Sequence, residues 1–379
     1  MLPVAVVGAG PVGLAFALSM QRAGIDCTVL DARAADSQHS DPRILALSHG
    51  SRQILERLGA WGDIDATPIA TIHVSQRNFL GRTLIHARDA GVPTLGYVVE
   101  AATVCAALER ACTASGVHIR RGIRATGSLA QAECALLYCT TACGSEEIRT
   151  QLIAWAEGAT RSEDAIVRRD YAQQAIVATV LTRDPIEGIA YERFTTSGPI
   201  ALLPLGDRYA LVWTVPDGET AGLLALDEHA FIARLNSVFS GRLALTTVSA
   251  RTAYPLGLRY RKSPVGKRAV WLGNAAQTLH PVAGQGFNLA LRDVSQLARL
   301  LQDHPQDCAE AALLARYAAA RRLDRGGTIG FTDGLIRLFG VRGEWAAHAR
   351  SAGLLALDLL PAARRFVAQR MIFGVRGGP

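Results

Sequence analysis

Val4-Ala-Val-Val-Gly8-Ala-Gly10-Pro-Val-Gly13 opens the chain, and its residue order specifies a strand, a tight turn and a helix. The apolar run Val4 to Val7 reads as a strand buried on both faces. Gly8 permits the turn, Gly10 lets the backbone approach a pyrophosphate, and Gly13 lets the next helix pack on the strand. The helix expected from Pro11 to about Ala23 aims free N–H groups at that phosphate. A second apolar run, Cys27 to Leu30, ends in Asp31, where an acid binds a ribose hydroxyl pair. Strand, helix, strand and acid in this order predict a dinucleotide site. The bland alternative is a strand–turn–helix that binds nothing.

That fingerprint does not separate NAD from the ADP half of FAD. A second glycine-rich stretch far downstream does: Leu272-Gly273-Asn274-Ala-Ala-Gln277-Thr-Leu-His280-Pro281-Val-Ala-Gly284-Gln285-Gly286-Phe287-Asn288. A strand over Ala269 to Leu272 runs into it, and a helix is expected from about Phe287. Small residues there let main-chain N–H groups approach a ring system or ribityl chain. The positive end of a helix starting near Asn288 suits a flavin's pyrimidine edge, where reduction builds negative charge. A nicotinamide dehydrogenase has no use for such a loop.

Together with Asp41-Pro-Arg43-Ile-Leu-Ala-Leu-Ser48, these motifs resemble the ubiquinone-biosynthesis hydroxylases, flavin monooxygenases with the fold of p-hydroxybenzoate hydroxylase. The resemblance runs to the C-terminal Leu354–Phe366 stretch. Gly273-Asn-Ala-Ala-Gln-Thr-Leu-His280 looks most like the 2-octaprenyl-6-methoxyphenol hydroxylase branch; sister enzymes more often carry Gly-Asp-Ala-Ala-His. The resemblance implies FAD, with NAD(P)H as reductant. Gly8, Gly10, Gly13 and Asp31 would hold the ADP half. Arg43 would reach the pyrophosphate or the substrate side, unless it is a solvated loop residue. Gly273 and Asn274 would contact the ribityl chain, with Gly286, Phe287 and Asn288 at the flavin. Pro281, Gly284, Gln285 and Gly286 would line the oxygen-reacting face. The family's middle motif, usually Ala-Asp-Gly-x-x-Ser, reads Ala156-Glu157-Gly158-Ala159-Thr160-Arg161-Ser162 here. Glu157 sets the carboxylate one methylene further out than the usual Asp. His280 before Pro281 reads as structural, and Asp293 as an organiser of helix packing.

The implied chemistry is hydroxylation of a polyprenylated phenol by O2 through a C4a-hydroperoxide, which must be kept from water. The alternatives are the same chemistry on a small soluble aromatic, or a FAD-binding scaffold without activity. A second nicotinamide fingerprint is missing, so reductant binds transiently or electrons come from a partner.

Seven cysteines, an odd number, and no metal-ligand spacing argue for free thiols in a reducing cytosol. The first strand is expected almost at once after Met1, so no targeting segment is expected. Net charge is +7 and pI ≈ 9.2, but the charge is spread out and no nucleic-acid motif accompanies it. Localisation is read as cytoplasmic, with a peripheral contact on the inner membrane face, or a ubiquinone-biosynthesis complex, left open. The Leu354–Val375 stretch, apolar with interspersed arginines, suits core packing, a membrane surface or a partner.

The expected fold is α/β. A Rossmann-like FAD-binding domain (1–65, 96–169 and 256–345) is interleaved with an antiparallel-sheet substrate domain (66–95 and 170–255), followed by a helical C-terminal segment (346–379). Strand patterns appear at Ile69–Ser75, Gln151–Trp155, Ala175–Leu181, Ile200–Leu203 and Tyr209–Trp213. Turns are expected at Pro204–Asp207 and Pro216–Gly218, and helices over Ser51–Leu58 and Thr103–Ser115.

Overall fold

The computed structural model describes residues 1–34, 41–158, 166–183, 187–239 and 243–375. Leu2–Val7 forms the first strand, with its apolar centre buried. It lies between two parallel neighbours, Gly144–Trp155 and Cys27–Asp31, pairing Val4 with both Leu152 and Cys27. Ala269–Trp271 and His118–Arg121 extend this sheet on either side, both in parallel register. Helix Pro11–Arg22 carries Pro at its first position and buries Gly13, Leu14, Phe16 and Ala17. It packs between helices Ala101–Ala114 and Gln285–Gln302. These helices cover one face of the sheet, and the other face packs Ala5, Val7 and Leu30 against Ile123, Leu137 and Ile148.

The second sheet has nine strands and is mostly antiparallel. Its central strands are Ile166–Thr182, Arg208–Pro216, Gly198–Leu205, Ile189–Thr195 and Thr71–Gln76, in that spatial order. One face buries Ile200, Leu202 and Leu211 with Phe231 and Leu235 of helix Glu228–Phe239. The other face looks toward the glycine-rich loops. A small third sheet, Ile44–Ser48, Gly96–Glu100 and Thr67–Ile69, joins the two halves.

Several expectations are corrected. Ile69–Ser75 is not one strand. The Ala70 and Thr71 amides both donate to Gly188 O, at 2.8 and 3.0 Å, and the chain changes sheets there. Pro216-Asp-Gly218 is not a turn. Pro216 caps helix Asp217–Ala225, whose first turn holds Asp217 and Glu219, acids that complement the helix dipole. The chain also stays in the nine-stranded sheet after residue 256, because Thr252–Arg261 pairs along Ile166–Thr182. The next strand to join the first sheet is Val265–Gly266, antiparallel to Ala269–Trp271.

The C-terminus is helical and breaks at Pro361, between helices Glu344–Leu359 and Pro361–Phe373. The first covers the edge strand Arg82–His86 with side-chain bonds. Ser351 Oγ accepts from the Gly81 amide and Asp358 Oδ1 from the Leu84 amide, both at 2.8 Å. An edge strand so covered is closed to other chains.

Candidate functional site

The glycine turn is built from three segments. The Gly8 amide donates to Leu30 O at 2.7 Å, and Gly8 adopts φ +105°, with the space around its Cα filled by Ala156 and Glu157. A Cβ at Gly13 would collide with the Gly8 carbonyl oxygen, whereas one at Gly10 would meet no protein atom within 4 Å. The sequence thus leaves room at Gly10 that the protein does not itself occupy. Asp31 closes the turn: its Oδ2 accepts from the Ala9 amide at 2.6 Å, and Arg33 bonds both carboxylate oxygens. Burial alone would raise this carboxyl, but Arg33 and two backbone amides outweigh it and hold it below its ordinary value.

The second loop enters from strand Ala269–Trp271, the Leu272 amide donating to Trp155 O at 2.9 Å. Asn274 and Pro281 are exposed and line the same cavity as Gly8, Gly10 and Asp31. Ala283 and Gly284 are both left-handed, at φ +60° and +59°; a non-glycine residue there is uncommon and strained. The helix that follows begins at Gln285, earlier than the pattern suggested, and has no acid in its first turn. Its positive end and the open backbone of Gly286 line the cavity. The cavity measures about 2330 Å³, well beyond the roughly 1,000 Å³ that encloses one drug-sized ligand. It extends from the glycine turn to the free face of the nine-stranded sheet, with room for a dinucleotide and a second molecule.

A family profile described as "FAD binding domain" matches residues 1–326. Over 99% of its length the chain is 31% identical to ubiquinone hydroxylase UbiL of Rhodospirillum rubrum, covering 90% of that protein. It is 32% identical to 3-demethoxyubiquinol 3-hydroxylase of Escherichia coli, over 85% of each chain. The chain belongs to the flavin monooxygenases of ubiquinone biosynthesis. Among solved structures, p-nitrophenol 4-monooxygenase of Pseudomonas putida superposes with a TM-score of 0.78 over 98% of both chains, at 18% identity, a likeness of fold. This flavin monooxygenase takes FAD as its cofactor, and the open ground at Gly10, Gly158 and Gly286 fits such a group.

The residues singled out in the sequence divide on inspection. Gly8, Gly10, Asp31, Arg43, Glu157, Gly158, Gly273, Asn274, Pro281, Gly284, Gly286 and Phe287 all border the cavity; Gly13 works behind it, in the helix contact. Arg43 is paired with Asp41, Nε to Oδ1 at 2.8 Å. Ala159, Thr160, Arg161 and Ser162 of the middle motif lie outside the described residues. Asn288 is corrected: it is buried, and its Oδ1 accepts from the Ser48 amide and Ser51 Oγ at 2.8 and 2.7 Å. Its Nδ2 donates to Ala46 O and Gly284 O. With all four bonds spent inside the protein, Asn288 positions the loop. Gln285 is likewise turned away, its amide donating to Ala283 O and Met371 O. The Gly284 Cα faces Ala46, where a Cβ would sit 3.0 Å from the alanine methyl.

Other residues contribute that no motif marks. Arg33, two residues after Asp31, was legible only as a charge at short spacing. A bulge between Asp170 and Gln173 turns Tyr171 edge-on to His280, with ring centroids 5.6 Å apart. Tyr171 in turn donates to Asp333 at 2.9 Å. His280 is buried, its Nδ1 accepting from the Val282 amide at 3.1 Å, and burial pushes its pKa down to about 4. It is neutral, with the proton on Nε2. Asp293, buried with Arg321 at 2.6 Å and Gln277 at 2.8 Å, ties helix Gln285–Gln302 to helix Ala311–Gly340.

Proposed function

We propose that this FAD-dependent monooxygenase hydroxylates the ring of a polyprenylated phenol in ubiquinone biosynthesis, in the manner of the 2-octaprenyl-6-methoxyphenol hydroxylase branch. The observation that carries this reading is the continuous cavity from the glycine turn to the sheet wall. One cross-strand row of that wall, Val74, Glu192, Ala201, Val212 and Val177, comes from five adjacent strands and is apolar except at Glu192. Apolar surface of this kind suits a hydrocarbon tail better than the carboxylate of a small aromatic acid.

FAD, when bound, supplies the activation of O2 and the transfer of one oxygen atom. The protein's part is binding and exclusion of water. The turn at Gly8 and Gly10 and the start of helix Pro11–Arg22 receive the pyrophosphate. Asp31 receives the ribose, sharing or displacing Arg33. Gly273 and Asn274 meet the ribityl chain. The start of helix Gln285–Gln302 stabilises negative charge at the ring, and Pro281 and Gly286 shape the face where substrate and oxygen meet. NAD(P)H is the reductant, bound transiently, with Glu157 and Arg43 at the rim of the same cavity.

No helix among the described residues is long and apolar enough to cross a membrane. A peripheral contact that delivers a lipid-borne phenol is supported by apolar side chains left in solvent on the C-terminal helices. Trp345 is 91% exposed, and Leu359, Leu360 and Phe366, at 69%, 56% and 68%, stand in solvent on either side of the break at Pro361.

The test is loss of the protein from its cell. A prenylated quinone precursor lacking one ring hydroxyl should accumulate, and purified enzyme with NAD(P)H and O2 should add one oxygen to it. Equal turnover of an unprenylated soluble phenol would favour the small-aromatic reading. Bound FAD with turnover of neither would favour a scaffold.

A further inference from the structure

Glu192 is the anomaly of the cavity wall. It sits at the centre of strand Ile189–Thr195, flanked by Val74 on one neighbouring strand and Ala201 on the other. Its strand neighbours Tyr191 and Arg193 alternate to the opposite face. There Tyr191 packs against His73, and Arg193 bonds Ser75 Oγ at 3.2 Å. Among the described residues no hydrogen bond or ion pair reaches the Glu192 carboxyl. It retains some accessible surface, opening on the cavity, yet lies deep among protein atoms. Its oxygens remain open to the cavity, so a ligand that displaces solvent there must supply their hydrogen bond or leave the carboxyl unpaired at a cost.

We propose that Glu192 receives the ring oxygen of the phenolic substrate, as its hydrogen-bond partner and, when ionised, as acceptor of its proton. In that step the phenol O–H bond breaks, the electron pair stays on the ring oxygen, and the proton passes to a Glu192 carboxylate oxygen. No electrons are exchanged. The phenolate so formed is richer in electrons at its ortho and para carbons, which favours attack by the ring on an electrophilic oxygen. The inference rests on the hydroxylase reading and names the group that orients and activates its substrate.

Burial is the sole cause that pushes the Glu192 carboxyl up, to about 8. The flanking strands Thr71–Gln76 and Gly198–Leu205 contribute only His73, on the opposite face, as a titratable group. Arg43, Arg261, Tyr254 and neutral His280 share the cavity without a resolved pull on it. The base form therefore grows in through mildly alkaline pH.

The experiment compares FAD-loaded wild type, Glu192→Gln and Glu192→Asp, each first checked for FAD content and melting temperature. The probe 4-nitrophenol reports its own ionisation by colour. Bound to wild type, it should turn to phenolate with a pH dependence set by Glu192. Glu192→Gln should bind it as the neutral phenol, while Glu192→Asp should restore part of the shift. With a prenylated phenol, wild-type kcat should rise from pH 6.5 to 9, and Glu192→Gln should lower kcat at least tenfold with a smaller change in KM and a flat profile. Identical probe spectra and kcat–pH profiles in wild type and Glu192→Gln would overturn the proposal. Should the Gln variant fail to fold, the wild-type probe titration and the Asp variant decide. A wild type that ionises bound nitrophenol but hydroxylates nothing would overturn the hydroxylase reading while sustaining the role of Glu192.

Discussion

Asp31 Oδ2 accepts a hydrogen bond from the Ala9 amide at 2.6 Å, joining the end of the second strand to the turn after the first. The bond fixes the peptide between Gly8 and Gly10 against which a pyrophosphate must rest. Asp31→Ala removes a buried charged acceptor and should cost roughly 1–3 kcal/mol of stability, together with most of the FAD affinity. The acid side carries a signature. This carboxyl lies below its ordinary 3.8, so its contribution is complete above that value and is lost as pH falls through the lower folded-state value. Melting curves of wild type and Asp31→Ala should converge below about pH 3.8. Curves that stay parallel would detach Asp31 from the stability of the turn.

Gly10 and Gly13 belong to one motif but predict different failures. A side chain at Gly10 meets no protein atom within 4 Å, and Gly10 holds an ordinary extended conformation. Gly10→Val should fold with a melting temperature near that of the wild-type apoprotein and emerge colourless, because its side chain occupies the space for pyrophosphate. Gly13→Val should instead destabilise the apoprotein, since the Gly8 carbonyl already fills that position. Gly286→Val extends the comparison to the second loop, where space is again open: FAD should bind weakly and hydroxylation should uncouple to H2O2. Gly284→Val cannot probe the face of the ring. Its left-handed φ and the Ala46 methyl would strain the loop first. A yellow, fully coupled Gly286→Val enzyme would remove this loop from the site.

His280 and Glu192 titrate in opposite senses on the walls of one cavity. His280 drops from 6.5 to about 4, so between those values the unfolded chain takes a proton that the folded one refuses. Stability should fall as pH drops from 6.5 to 4, by up to about 3 kcal/mol, and His280→Gln should flatten that slope. The Glu192 carboxyl rises from 4.5 to about 8. Its contribution is present below 4.5 and is lost as pH rises through 8, a slope that Glu192→Gln should abolish. Urea titrations of the apoprotein across pH 4 to 9 read both. Unchanged slopes in either variant would mean that the group is solvated.

What the sequence discloses is where backbone geometry leaves one residue type available. Gly8 at φ +105° and Gly13 against a carbonyl are legible because no side chain fits. The alternating strands of the second sheet are legible because one face is packed and the other open. Pro216-Asp-Gly218 misleads because a proline followed by an acid starts a turn or a helix equally well. Asn288 misleads for another reason: its partners Ser48 and Ser51 lie 240 and 237 residues away, and no local pattern announces them. Glu192 is not legible because Glu192-Arg193 offers two charged neighbours. Only the register with Val74 and Ala201 says which of them faces the cavity.

Arg364 pairs with Asp89, Nε to Oδ2 at 2.8 Å, and is half-buried, which changes how membrane contact should be tested. Charge reversal there breaks the seam between helix Pro361–Phe373 and the short helix Ala87–Ala90, so a loss of binding would report unfolding. The informative positions are those in solvent. Leu359, Leu360 and Phe366 are exposed around the break at Pro361, and exposed Arg365 donates from Nε to Asp89 O at 3.2 Å. Leu360→Glu/Phe366→Glu should keep the FAD content and melting temperature of wild type and lose most binding to vesicles. Arg365→Glu should weaken binding to anionic vesicles severalfold and leave binding to neutral ones nearly unchanged, since one basic residue near an anionic surface contributes about 1 kcal/mol. Turnover of a prenylated phenol presented in vesicles should fall with binding, while turnover of a short-chain analogue in solution should not. If the double variant binds vesicles as wild type does, the apolar surface of the C-terminal helices serves another partner.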